Sequence, residues 1–279
     1  MTHQLTQDEL DCLRSVQRAA DELGIAIVVV GANARRLVFD LANGIPIHRT
    51  TNDWDFGVRV PDWGAFRQMR SNLVEQTDAF ISGRYEHRLT HKASGINIDL
   101  VPFGGLENDG RIRWPDSAFE MNVFGFSEAS ENAAVLDFAP DLRMAVPTVP
   151  LLVALKVFAF ADRRHATNRE LSDLWHVIRN YVLSGRETEL YDEPLGAIVD
   201  EAFDWDYAGP LLLGYDLARA CKPATIERLL PILELLTDPY CNDIGALISR
   251  FPSAEQEEQE RRRVSASFRW LMRGMRIDR

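Results

Sequence analysis

The sequence predicts an α+β fold in two parts, strand-and-helix first and helical afterwards. Three observations carry this expectation. Short β-branched or alternating runs are interleaved with helical spacing up to Val146. Val146-Pro147-Thr148-Val149-Pro150 then breaks the pattern with two prolines. Beyond it, nearly every periodic stretch has helical spacing. The expected division is 1–146 and 147–279.

The elements follow in order. Gln7 to Leu23 carries apolar residues at helical spacing (Leu10, Leu13, Val16, Ala20, Leu23), with Gly24 as its stop. Ile25 to Val30 is a continuous β-branched run, as in a buried strand. Ala32 to Leu41 reads as a helix directly behind Gly31. From Asp53 to Val60 the chain alternates, Trp54, Phe56 and Val58 on one face, Asp53 and Asp55 on the other. Asp62 to Leu73 is a further helix. Arg84 to Thr90 and Ile96 to Val101 read as paired strands around Ala93-Ser94-Gly95, and strand-like pieces follow near Arg111 to Trp114 and Ala133 to Phe138. In the second part, helices are expected over Leu151 to Ala161, Arg169 to Leu183, Thr225 to Leu236 and Glu255 to Arg273.

Composition narrows the function. A chain of 279 residues with 46% apolar and 26% charged residues is ordinary for a soluble globular protein. No apolar run is long enough to span a bilayer. The N-terminus has no basic segment followed by an apolar one, so no signal peptide is expected. Cys12, Cys221 and Cys241 are scattered and odd in number. That disfavours a disulfide framework or zinc site and fits a reducing cytoplasm. A net charge of −11 argues against broad nucleic-acid binding but leaves room for a local basic groove. The pattern GxxxxGK[ST] is absent, which disfavours an ordinary ATPase, and the histidines show no HExxH spacing.

Asp53 and Asp55 are the most informative residues. Two carboxylates one residue apart on a strand face the same way and repel unless a cation intervenes. Such a pair suits Mg²⁺, which completes its shell with water and phosphate. Asp204-Trp205-Asp206 has the same letters but no glycine turn nearby, and receives no catalytic role. Gly31 would allow a tight turn and close approach to a ligand, with helix N–H groups behind it for a triphosphate. Asp99 sits in an apolar strand, Ile96 to Val101, where an acid is either a cap or turn partner or is paired or metal-bound. If its strand lies beside that of Asp53, three carboxylates converge, as two-metal chemistry requires. Lys156 lies mid-way along an apolar helix and must either snorkel to solvent or meet an anion. Arg163 and Arg164 follow about two turns later, on a face it could share. Asp173 could orient Lys156 or contact a nucleotide.

In this order, Gly31-Ala32, Arg49-x-Thr51-x-Asp53-x-Asp55 and Asp99 resemble the nucleotidyltransferase core of the DNA polymerase beta superfamily. Lys156 and the Asp173-Leu174 step look more specifically like the AbiEii/MenT group of nucleotidyltransferase toxins. The resemblance covers roughly Val28 to Ile178. It implies a mixed-sheet core followed by a helical domain that completes the nucleotide site. Asp53, Asp55 and Asp99 would be catalytic and bind Mg²⁺, Asp99 as metal ligand or as activator of the acceptor hydroxyl. Gly31, Ala32, Arg49, Thr51, Lys156 and Asp173 would bind the nucleotide, an NTP such as ATP. The implied reaction moves NMP to a hydroxyl on a tRNA 3′ end or a protein, often by a toxin paired with an antitoxin. Two departures stand out. Ala32 replaces the second residue of the usual Gly-Gly or Gly-Ser, and Glu170 replaces the first acid of the usual Lys-Asp-x-x-Asp-Leu. A non-catalytic nucleotide-binding module and a small-molecule (antibiotic) nucleotidyltransferase are the alternatives.

Overall fold

The computed structural model describes residues 5–47, 51–200, 202–248 and 252–277. Helix α1 (Gln7–Leu23) runs as its apolar spacing predicts. A reciprocal cap starts it: the Thr6 hydroxyl accepts from the Glu9 N–H, and the Glu9 carboxylate accepts from the Thr6 N–H. The strands are, in chain order, β1 (Ala26–Val30), β2 (Asp53–Val60), β3 (Phe80–Ser82), β4 (Arg88–His91), β5 (Asn97–Gly104), β6 (Arg111–Arg113), β7 (Glu120–Asn122), β8 (Ala134–Ala139) and β9 (Leu142–Val146). Seven of them form one sheet in the order β3-β4-β5-β2-β1-β9-β8, while β6 and β7 make a separate ribbon. The large sheet is mixed: β1 is antiparallel to β2, whereas β2 is parallel to β5 and β1 parallel to β9. The paired strands expected around Ala93-Ser94-Gly95 are β4 and β5, antiparallel.

Two helices depart from the expected form. α2 (Gly31–Arg35) passes into a π-helical segment, Arg36–Leu41, and α3 (Trp63–Ser71) into another, Asn72–Gln76. A π-turn brings residues five apart over each other. Here it joins Arg35 to Asp40, both fully buried, in an ion pair of 2.5 Å. A short helix, α4 (Phe126–Glu131), lies over the sheet at Gly57, with the Phe126 ring tilted against that of Phe103.

Helices then dominate: α5 (Val149–Arg163), α6 (Arg169–Asn180), α7 (Ala208–Ala220), α8 (Pro223–Glu234), α9 (Asn242–Leu247) and α10 (Ala254–Gly274). α7 has no counterpart among the sequence expectations, because Gly209, Pro210 and Gly214 interrupt its pattern. Gly214 is there for close approach. A Cβ on it would sit 1.9 Å from the Leu271 carbonyl oxygen, and one on Gly274 would sit 2.2 Å from that of Leu211. α7 and α10 therefore cross backbone to backbone.

The described residues of Met1–Ala42 and Arg49–Leu152 form one compact unit, and those of Asn43–His48 and Val153–Arg279 a second. Among the described residues, no helix is long and apolar enough to cross a membrane.

Candidate active site

The central strands of the first unit set the site. β2 and β5 pair in parallel with Asp55 opposite Asp99 and Asp53 opposite Asn97. Residues paired this way point to one face, so Asp53, Asp55 and Asp99 share it. Trp54, Phe56, Ile98 and Leu100 fill the other face and are buried. The apolar alternation thus fixes which way the acids point.

β1 runs antiparallel beside β2 with Val30 opposite Asp55, so its end delivers Gly31 to the acids. Gly31 adopts φ +73°, and a Cβ there would lie 1.9 Å from Asp55 Oδ2. The absent side chain is the space the carboxylate occupies. Ala32 is buried behind it. Buried Asn33 donates to the Asp53 carbonyl (2.9 Å), and Asn97 donates to Asp53 Oδ1 (3.1 Å). The Asp53 N–H donates to the Thr51 hydroxyl (3.1 Å). Arg49, together with His48, lies outside the described residues.

Arg88 is a member of the cluster that sequence reasoning passed over. It stands opposite Asp99 in the β4–β5 pairing. Its Nε and Nη2 donate to the two oxygens of Asp99 at 2.8 and 2.7 Å, and Nη2 lies 3.5 Å from Asp53 Oδ2. These bonds to Asp99 raise the guanidinium pKa further above its already high value. A signal existed: strands folded about Ala93-Ser94 place residue 88 across from residue 99 by counting outward from the turn. Beside it, burial pushes His87 below its ordinary value, against the pull of Asp99 in the opposite sense.

The second unit carries the other predicted residues. Lys156 on α5 is buried and meets anions rather than snorkelling. Its ammonium donates to Glu170 Oε2 and Asp173 Oδ2, both at 2.7 Å and both on α6. Arg163, two turns on, reaches Glu170 Oε1 at 2.9 Å, while Arg164 pairs with Asp243. Burial alone would lower the Lys156 pKa, but the two carboxylates outweigh it and the net shift is upward. Glu170 is held below its ordinary value: Lys156 and then Arg163 overcome the opposing effect of burial. Glu170, the departure noted at motif level, does share Lys156 with Asp173. The look-alike Asp204 caps a short 3₁₀ turn and accepts from the Asp206 N–H.

Nucleotidyltransferases generally use a divalent metal. The donor chemistry of Asp53 and Asp55 fits one: two hard carboxylates on one strand face, the number Mg²⁺ commonly takes from protein. Asp99 gives both its oxygens to Arg88. Among the described residues, no group of three or more His, Cys, Asp or Glu is disposed to hold a metal ion.

A mixed sheet carrying these acids behind a glycine turn is the core expected of a nucleotidyltransferase, and comparison with known families bears out that class. The family model described as nucleotidyl transferase AbiEii toxin, type IV toxin–antitoxin system, matches residues 15–270. The chain belongs to the AbiEii family of nucleotidyltransferase toxins. It is also similar to the solved antibiotic-resistance factor ANT(2'')-Ia, at 13% identity over 70% of this chain and 90% of that one, with a TM-score of 0.34. A second similar structure is the cyclic dinucleotide synthase CdnE of Elizabethkingia meningoseptica, at 10% identity over 94% and 89% of the two chains, with a TM-score of 0.26. No curated protein matches the chain.

Proposed function

We propose that this chain is a Mg²⁺-dependent cytoplasmic toxin that moves NMP from an NTP to a hydroxyl on a macromolecule, a tRNA 3′ end or a protein, under the control of an antitoxin. The acceptor oxygen bonds to the α-phosphorus, the bond to the β-phosphate breaks, and pyrophosphate leaves. Asp53 and Asp55 hold the divalent ion, which neutralises phosphate charge when bound. Asp99 ligates the ion or takes the hydroxyl proton. Gly31 and Ala32 line the phosphate turn, and Arg49 and Thr51 bind the nucleotide. Lys156 spends two of its three N–H donors on Glu170 and Asp173, and the third serves the triphosphate. Asp173 supports the nucleotide end through that lysine. Rate enhancement comes from positioning and charge neutralisation.

The observation that carries this reading is the in-register pairing of Asp55 with Asp99, with Asp53 on the same face. Incubation with each labelled NTP, Mg²⁺ and total RNA or lysate tests it. Wild type should label one class of acceptor, and Asp55→Ala should not. Equal labelling by the two proteins across all four NTPs would overturn it.

A further inference from the structure

Arg88 is a cation already in place on an acidic face. Its forked hydrogen bonds take both oxygens of Asp99, and the same Nη2 approaches Asp53. Its side chain is 32% exposed, and those of Asp53 and Asp99 are 39% and 14% exposed. The fork fixes the guanidinium on Asp99, the more buried of the two acids, and so fixes where its charge stands. The guanidinium fills the gap between Asp53 and Asp99, where a divalent ion shared by those two carboxylates would have to stand. Two cations in that gap would repel each other, and arginine cannot shed its charge by deprotonation.

We infer that Arg88 is the resident counter-cation of this site: it withholds Asp99 from the divalent ion and leaves that ion to Asp53 and Asp55. The inference rests on the metal-binding reading above and selects between the two roles left to Asp99. Arg88 acts through Asp99 and is a positioning residue. Because the arginine charge does not titrate, its effect on metal affinity is the same from mildly acidic to mildly basic pH.

The test is Mn²⁺ binding by calorimetry on the full chain without nucleotide. Arg88→Gln should bind Mn²⁺ at least roughly tenfold more tightly than wild type, because a carboxylate is released and a competing charge is gone. Arg88→Lys, which keeps the charge, should stay close to wild type. Combining Arg88→Gln with Asp99→Asn should remove the gain, which identifies Asp99 as the ligand acquired. Loss of a merely structural contact would weaken binding, not strengthen it. Equal or weaker binding by Arg88→Gln overturns the inference. Asp99→Asn alone keeps the question open to test if Arg88→Gln does not fold: unchanged Mn²⁺ affinity supports the inference, and a loss of about tenfold or more overturns it. Asp55→Asn is the separate control on the metal-binding reading. If it leaves wild-type Mn²⁺ binding intact, that reading fails and the inference falls with it. If it abolishes binding while Arg88→Gln gains nothing, the inference fails alone.

Discussion

The two charged clusters of this chain are assembled on opposite terms. On the sheet of the first unit, Asp53, Asp55 and Asp99 face Arg88, and the Asp53 and Arg88 side chains stay part-exposed. In the second unit, Lys156, Glu170 and Asp173 are buried, and each charge touches an opposite one at 2.7 Å. Burial makes a missing partner expensive, so the second cluster is closed and near balance. Exposure tolerates surplus charge, so the first can keep three acids around one arginine. The difference separates a cluster whose charges meet one another inside the fold from one whose acids outnumber their cation at the surface, though both look alike in a list of charged residues.

The sharpest way to break this comparison is to remove one member of each cluster. Lys156→Ala removes the buried cation that Glu170 and Asp173 share and should cost about 3–5 kcal/mol in urea denaturation. Asp53→Asn should stay within about 1 kcal/mol of wild type in the same experiment, yet lower nucleotide transfer by roughly a hundredfold or more. Equal destabilisation by the two would erase the distinction. Gly31→Ala is expected next in size. It asks a Cβ to share space with Asp55 Oδ2 at φ +73°, which should cost about 1–3 kcal/mol. Because the carboxylate must move, transfer should fall further than that stability loss explains. A variant with unchanged melting and activity would show that the approach of Gly31 is not needed.

Much of this was legible from local pattern, and the failures have physical causes. α1 and α10 carry long apolar stripes and were placed to within a residue at most of their ends. The faces of β2 and β5 followed from period-two alternation, and so did the side on which the acids stand. β9 was hidden because Leu142–Val146 runs into the prolines that mark the boundary. α7 was hidden because its glycines answer to a neighbouring backbone, not to its own helix. Arg88 needed a register, which is a long-range fact: its partner is eleven residues away across a hairpin. The π-turn at Arg36–Leu41 accompanies a buried ion pair between residues five apart, Arg35 and Asp40, and helix propensity carries no trace of such a pair.

Acid sharpens the contrast by titrating the closed cluster. Glu170 has a folded pKa below its ordinary 4.5, so its contribution is present above that pH and is lost as pH falls through the lower folded value. Lys156 is shifted the other way. Its contribution is present below the ordinary 10.5 and is lost as pH rises through the raised value. Stability from this cluster should therefore be full between those two ordinary values. Below the lower one, wild type should lose up to about 1.4 kcal/mol per pH unit from this one proton. Glu170→Gln should be less stable at neutral pH and should lack that part of the acid slope, as read from urea midpoints across pH.

The smallest expected effect tests burial against partner number on a single carboxylate. Glu170 is held from inside by Lys156 and from outside by Arg163, whose side chain is 58% exposed. The two contacts differ little in length, 2.7 against 2.9 Å, so distance alone would predict comparable worth. Solvent screening and the entropy of fixing a long exposed side chain predict otherwise. Arg163→Ala should cost no more than about 0.5–1 kcal/mol, and adding about 0.5 M NaCl should shrink even that. Lys156→Ala should keep most of its cost in the same salt, because no ions reach the buried pair. Should Arg163→Ala match it, what separates the two clusters would be how many charges meet, and Arg88 on the open sheet face would have to be counted as part of the fold.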